Sequence, residues 1–430
     1  MNQRQSMTGA SPLPLPGSEL CVHCGFCLQA CPTYLALDDE NDSPRGRIVL
    51  MKAMADGALS LDDTDAQLHL DRCLGCRACE TACPSGVPYG QLLETTRERL
   101  ASRRPLPVVA RFILSAFARP GLLAMAMFAA RALRATGIAA LFARARGSAG
   151  FGMAMLASTR RPASDRRRRY DPHGDGLRET VALLRGCVME GLFAPANRAT
   201  ERSLVQNGYR LVPARGQRCC GALHAHAGDA GTARSLARIN IAAFDRSGAG
   251  FVAVNSAGCG AAMKGYAHLL QDDAVWRDRA AVFAAKVRDV SELLAAAGPA
   301  RGGALPVRVA YDAPCHLLHG QRVATAPLAV LGAIPELELV PLDGTDQCCG
   351  SAGIYNLVEP EVSNLVLAPK LANIVASGAS VVATGNPGCL MQIGAGLARS
   401  RGDTGAPLVR HPVELLDASY AARAATMRET

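Results

Sequence analysis

The chain has 430 residues, enough for two to four domains, and 49% of them are apolar, so a core can be buried. Aromatics make up only 4%, with Trp276 the sole tryptophan. The net charge of +9 is concentrated: from Arg97 to Arg169 there are 16 arginines against two acids, Glu98 and Asp165, which leaves the rest of the chain net acidic. That basic stretch has no aromatic interleaving and no finger or helix-turn-helix signature, so no nucleic-acid partner is expected.

The N-terminal twenty residues read as a loose tail without an apolar signal segment. No stretch approaches the ~20 uncharged apolar residues of a membrane span. A cytoplasmic protein is therefore expected. In that compartment sixteen cysteines point to metal or redox chemistry rather than to disulfides.

The first eight cysteines fall into two copies of C-x2-C-x2-C-x3-C-P, "CVHCGFCLQACP" from Cys21 and "CLGCRACETACP" from Cys73. Three thiolates at that spacing wrap one [4Fe–4S] cluster, and the fourth, before proline, reaches the other cluster. The spacing assigns Cys21, Cys24, Cys27 and Cys83 to a first cluster, and Cys31, Cys73, Cys76 and Cys79 to a second. Zinc is satisfied by C-x2-C pairs alone and gives no reason for the remainder of the motif. Between the copies, a helix is predicted from Ser43 as cap and Pro44 in the first turn, with Ile48, Leu50, Met51 and Met54 on its apolar face. "DTDAQLHLDRC" predicts a second helix. Arg45 and Arg47 are expected either to face a partner or to sit on a solvated face. This region resembles the alpha-helical ferredoxin domain of respiratory dehydrogenase subunits.

From about Arg99 to Arg169 the periodicity predicts two or three helices, broken at Pro120–Gly121 and Gly137, followed by a flexible linker. The arginines along them suit either packing on a domain or partner subunit, or contact with an anionic membrane surface.

The rest of the chain is an internal duplication of about 120 residues. "LLRGCVM" corresponds to "AYDAPCHL", "RLVPARGQRCCG" to "ELVPLDGTDQCCG", "FVAVNSAGCG" to "VVATGNPGCL", and "VRDVSELL" to "VRHPVELL". Each copy alternates short β-branched runs ("TVALLRG", "PVRVAYDA") with helical ones ("ANRATERSLVQNGY", "APLAVLGAI"), the rhythm of an α/β domain on a parallel sheet. Its cysteines fall just after the strands, where open sheets place their sites. They are Cys187, Cys219, Cys220 and Cys259 in the first copy, and Cys315, Cys348, Cys349 and Cys389 in the second. Adjacent thiolates suit several irons or dithiol chemistry better than one zinc tetrahedron, and both readings stay open. His224, His226, His316 and His319 lie near the CCG cysteines in sequence. His316, next to Cys315, is the first candidate among them for a functional role, against an ordinary packing histidine.

Two ferredoxin blocks followed by two CCG domains resemble the glycolate oxidase iron–sulfur subunit family, over about Leu20 to Leu416. The small subunit of anaerobic glycerol-3-phosphate dehydrogenase has the same architecture, and lactate-utilisation proteins and heterodisulfide reductases carry CCG domains. The heterodisulfide-reductase type closes each domain with C-x2-C, whereas Ser256 and Asn386 stand at the corresponding positions here. Disulfide reduction is therefore the weaker alternative.

The expected fold is α+β: an alpha-helical ferredoxin domain (15–98), a basic helical connector (99–176) and two α/β CCG domains (177–300 and 305–425). No dinucleotide fingerprint and no catalytic residue are found. The resemblance implies an electron-transfer subunit, not catalytic alone, holding two [4Fe–4S] clusters, with a further centre at the CCG cysteines left open. Its implied partners are flavoprotein subunits that oxidise a 2-hydroxy acid, and a quinone or other acceptor; the basic segment leaves open a cytoplasmic protein that also touches the cytoplasmic face of the inner membrane peripherally. Glycolate, lactate and glycerol-3-phosphate all remain open as the partner's substrate.

Overall fold

The computed structural model describes residues 14–159, 178–401 and 405–429. The predicted linker before the first CCG domain falls largely outside them.

Both expected helices of the ferredoxin region form. Pro44–Ala55 begins where the Ser43 hydroxyl accepts from the Gly46 N–H at 3.0 Å. Thr64–Asp71 begins at Asp63, which accepts from the Ala66 N–H. Ile48, Met51 and Met54 are buried with Leu70, and Leu92 and Leu93 of the helix Tyr89–Arg103 close the core. Cys73 and Cys79 belong to that same core.

Arg47 overturns the surface reading. It is fully buried, with Nε donating to the His69 carbonyl at 2.6 Å and the guanidinium reaching Asp42 at 2.9 Å and Thr33 at 2.9 Å. Asp42, itself buried, also holds Arg72 at 3.1 Å, so the charge is compensated inside the domain. Arg45 instead lies half-exposed on Glu40.

The basic segment forms four helices, Val108–Ala118, Pro120–Ala135, Ile138–Phe142 and Gly147–Ser158, one more than the upper expectation. The breaks fall at Pro120 and Gly137, which takes a φ of 80°. No residue of Pro120–Ala135 is fully buried. Its inner stripe leans on the protein through Met127 and Ala130, and Arg134 donates to the Thr159 and Leu192 carbonyls. Large apolar side chains are exposed along the segment among its arginines: Phe112 of the first helix is 76% exposed, Phe128 of the second 69% and Leu141 of the third 76%. No single helix among the described residues is long and apolar enough to cross a membrane, and the first two meet at 108°.

Each copy of the duplication carries a four-stranded parallel sheet. The first is β1 (Thr180–Leu183), β2 (Arg210–Leu211), β3 (Phe251–Val254) and β4 (Val287–Asp289), in the order β2-β1-β3-β4. The second is β5 (Val307–Tyr311), β6 (Leu337–Val340), β7 (Val381–Ala383) and β8 (Leu408–Arg410), in the order β6-β5-β7-β8. All pairings are parallel, with Val181 opposite Phe251 and Val309 opposite Val381. Helices cover the strands, as buried β-branched runs require. The two copies share a core that includes Leu293, Leu294, Leu331, Val413 and Leu416, and Arg202 grips Asp417 with two bonds across the junction. The protein is α+β, with an alpha-helical dicluster region ahead of two α/β repeats.

Candidate iron–sulfur and cysteine sites

Cys21, Cys24, Cys27 and Cys83, the first predicted set, line one small cavity with Phe26, Arg45 and Tyr89. Cys24 is exposed and the other three are half-buried. The second set, Cys31, Cys73, Cys76 and Cys79, is buried, each residue at most 8% exposed. One predicted site therefore faces solvent and the other faces the interior.

The donor chemistry of the buried set suits an anionic cluster. Burial pushes the Cys76 and Cys79 thiols well above their usual range. Burial acts on Cys73 in the same direction, but the Arg47 and Arg97 guanidiniums outweigh it and bring that thiol below its usual range. Arg47 lies 4.0 Å from Cys31 Sγ, and Tyr89 donates to Cys73 Sγ at 3.5 Å. The Arg47 and Arg97 guanidiniums, although already paired with Asp42 and with backbone carbonyls, give the four thiols a positive surrounding that favours a negatively charged iron–sulfur cluster.

The CCG cysteines meet in two further groups, each beyond the C-terminal ends of the strands. In the first copy Cys187, Cys219, Cys220 and Cys259 lie close enough to perturb one another's ionisation. The neighbouring Cys187 and Cys220 thiols hold Cys219 well below the usual thiol range. In the second copy Cys315 and Cys348 are 4.0 Å apart and Cys349 and Cys389 3.3 Å. Bonds between neighbouring thiols, with burial, push Cys348, Cys349 and Cys389 up. Gly350 is required by space as well as by its φ of 80°, because a Cβ there would come within 2.6 Å of the Ser363 carbonyl oxygen.

The second copy touches the buried ferredoxin set. Cys76, Cys315 and Cys348 belong to one packed cluster with Leu74 and Ala78. His316, the sequence candidate, is an anchor of that contact: its Nε2 meets the Gly75 carbonyl at 3.1 Å. Burial and the neighbouring His226 lower its pKa to about 4, so it sits there neutral. His319 bonds Thr81 at 3.0 Å, and the Tyr355 hydroxyl donates to the Arg72 carbonyl at 2.9 Å. His226 stacks on His316. His224 lies apart from these, fully buried in the first copy, with Nδ1 on Asp229 at 2.9 Å.

Sequence reasoning singled out all sixteen cysteines, put Arg47 on a surface where the structure buries it, and missed Arg97 and Lys370. Lys370 is buried against Asp312 at 2.6 Å, beside Cys349 and Cys389. None of the three carries a motif. The signal in retrospect is the pairing of each cation with an acid or carbonyl distant in sequence.

The profile of the 4Fe-4S dicluster domain matches residues 17–87, and that of the CCG cysteine-rich domain matches 181–264 and 309–394. A probable glycolate oxidase iron–sulfur subunit of Bacillus subtilis is 37% identical over 92% of this chain and 92% of its own length. The glycolate oxidase iron–sulfur subunit of Escherichia coli is 34% identical over 92% and 93%. A lactate utilization protein A of Exiguobacterium is 31% identical, over 55% of this chain and 96% of its own. The two full-length matches, the dicluster region and the paired CCG repeats place the chain in the family of glycolate oxidase iron–sulfur subunits.

Proposed function

We propose that the chain is the electron-transfer subunit of a glycolate-oxidising complex. In this reading a flavoprotein partner converts glycolate to glyoxylate and a quinone is the acceptor. The observation that carries it is the packed junction of Cys76 with Cys315 and Cys348, which brings the buried ferredoxin site against the second CCG site. Two [4Fe–4S] clusters, on Cys21, Cys24, Cys27 and Cys83 and on Cys31, Cys73, Cys76 and Cys79, supply one-electron carriage when bound. The protein's own part is to keep one site at the surface and the other buried. Arg47 and Arg97 compensate its charge, and His316, His319 and Tyr355 fix the CCG domain against it.

A cavity of about 480 Å³ supports the quinone assignment. Its walls include Cys73, Leu74, Leu100, Ala110, Leu223 and Val358, with Arg97 and Arg104 balanced by Asp71 and Glu359. An apolar, charge-balanced slot beside a ligand cysteine suits a neutral planar acceptor better than a small carboxylate. It lies at the root of the helix Val108–Ala118, whose outer face carries exposed Val108, Val109 and Phe112. Peripheral docking on the cytoplasmic face of the inner membrane is part of the same proposal.

The test is reconstitution. The isolated chain, loaded anaerobically, should contain at least about eight irons and leave glycolate untouched. Adding the flavoprotein subunits should give glycolate-dependent dye and quinone reduction. Glycolate turnover by the chain alone would end the proposal, as would equal turnover with lactate in the reconstituted complex for the glycolate assignment.

A further inference from the structure

The two CCG sites are not chemically equivalent. In the first copy, the chain after Cys219 and Cys220 turns at Gly221 into the helix Ala222–His226, which carries His224. His224 is 1% exposed. Its Nδ1 is held by Asp229 Oδ2 at 2.9 Å, and its Nε2 has no hydrogen-bond partner among the described residues. Asp229 is itself fixed, accepting from the Thr232 N–H at 3.2 Å. The helix Ala222–His226 packs against the helix Ala257–Lys264, which carries Cys259, so the imidazole sits on an element that borders the cysteine site. In the second copy the corresponding residue is Gly353, which offers no donor and whose φ of 71° is strained for any side chain.

A buried nitrogen without a partner costs stability comparable to a lost hydrogen bond. An imidazole whose other nitrogen is tied to a carboxylate is the usual arrangement of a metal-binding histidine, because the carboxylate fixes the tautomer and leaves Nε2 as the electron-pair donor. The same copy has lost a thiol donor, since Ser256 stands where a C-x2-C would place a cysteine ahead of Cys259.

We propose that His224 Nε2 is an iron ligand of a centre held by Cys187, Cys219, Cys220 and Cys259. The proposal rests on the reading of the CCG cysteines as an iron–sulfur site. His224 supplies a neutral donor in place of the absent cysteine, and Asp229 is its positioning residue. A neutral nitrogen ligand leaves the centre less negative than an all-thiolate one and raises its reduction potential. The second copy has no histidine at the matching position, and its His316 and His319 are turned to the Gly75 carbonyl and to Thr81 and the Asp346 carbonyl, so its centre is all-thiolate and the two CCG sites are distinct in potential as well as in place.

The experiment uses the full chain reconstituted anaerobically with iron and sulfide, with Cys24→Ser and Cys76→Ser introduced together to remove the ferredoxin signals. Pulsed EPR of the reduced protein should show a directly coordinated 14N coupling. It should change to the 15N pattern in protein grown on 15N-histidine. His224→Cys should retain the iron, lose the nitrogen coupling and lower the potential. Asp229→Asn should keep the coupling and release iron to a chelator about tenfold faster or more. CCG-bound iron whose spectrum lacks the coupling, or keeps it in His224→Cys, overturns the ligand assignment while leaving an iron–sulfur centre in place. Absence of any iron beyond the ferredoxin sites in the otherwise wild-type chain overturns the centre itself, and the ligand with it.

Discussion

Ser256 and Asn386, the residues that interrupt the closing cysteine pattern in the two CCG copies, meet each other: Ser256 Oγ lies 3.5 Å from Asn386 Oδ1. The same amide oxygen accepts from the Gly258 N–H at 3.2 Å, and Asn386 Nδ2 donates to Cys389 Sγ at 3.5 Å. The positions at which this chain departs from the heterodisulfide-reductase pattern therefore bind one domain to the other. Asn386→Ala leaves the Gly258 N–H and the Cys389 thiol without this partner in a buried junction, and should cost about 1–3 kcal/mol. Denaturant unfolding of the loaded protein measures it. An unchanged midpoint would show that this asparagine does not clasp the two copies.

The difference in burial between the two ferredoxin sets gives a second expectation. Cys24 is exposed, whereas Cys76 is buried beside Cys315 and Cys348. Cys24→Ser should lose about four irons and leave thermal unfolding nearly unchanged. Cys76→Ser should lose a similar amount and also lower the unfolding temperature, because Cys76 and the cluster proposed for it sit in the joint with the second CCG domain. Iron analysis and calorimetry on the same samples separate the two cases. Equal thermal effects would refute the surface-and-interior assignment.

Arg47 supplies a third. Replacing it with Met leaves Asp42 buried with only Arg72 and His69 facing it, and removes a cation beside Cys31 and Cys73. The expected cost is about 3–5 kcal/mol, the usual penalty for breaking a buried pair by removing one partner. Redox titration followed by EPR should show a lower potential for the buried cluster and no change for the exposed one. A shift in both would place the effect outside this charge.

Arg47 also marks the limit of what the sequence discloses. The cysteine spacings identify the dicluster region because each motif is local, and Ser43 and Pro44 announce their helix because capping is local too. The duplication is legible because its two CCG blocks keep their spacing, and β1 and β5 read as strands because their runs are β-branched. The burial of Arg47 depends on Asp42, Arg72 and the His69 carbonyl converging through tertiary folding, and periodicity alone puts it on a surface. The Cys76–Cys348 junction joins residues 272 positions apart, with no local signal to announce it. The same holds for Ser256 and Asn386, which the sequence presents as two separate losses and the structure presents as a pair.

Asp289 gives a prediction in pH. It caps the helix Val290–Ala297, accepting from the Ser291 N–H at 2.9 Å. Burial raises its pKa to about 6 although its hydrogen bonds to Ser291 act the other way. The unfolded carboxyl titrates near 3.9, so between about pH 4 and 6 the folded state binds a proton that the unfolded state does not. Stability should therefore rise as pH falls through that window, and the cost of the buried charge is fully present above it. Asp289→Asn keeps an oxygen acceptor for Ser291 and removes the charge. It should stabilise the protein by about 1–3 kcal/mol at pH 7.5 and flatten its own share of the pH dependence. A destabilised Asp289→Asn at pH 7.5 would show that the charged cap is worth more than its burial costs.

The outward face of the connector gives the last prediction. Arg111, Arg119, Arg131, Arg144 and Arg146 are exposed there among Phe112, Met125, Phe128 and Leu141. No acid occurs from residue 99 to 159. Arg134, on the same segment, is excluded from the set because its guanidinium is spent on the Thr159 and Leu192 carbonyls. Exposed aromatic and aliphatic side chains interspersed with arginines and no acids complement an anionic bilayer, where the arginines meet the headgroups and the rings reach the acyl boundary. An acidic partner subunit would satisfy the arginines but would not by itself bring the protein to lipid. Sedimentation with vesicles of anionic and of neutral lipid, at low and high salt, separates the two. The wild type should pellet with anionic vesicles at low salt and release partly as screening shortens the Debye length. Changing the five arginines to Gln should remove the salt-sensitive binding. Changing Phe112, Phe128 and Leu141 to Ser should remove the part that survives high salt. Wild-type protein that ignores anionic vesicles, yet needs the five arginines to assemble with the proposed flavoprotein subunits, would assign this face to a protein partner instead.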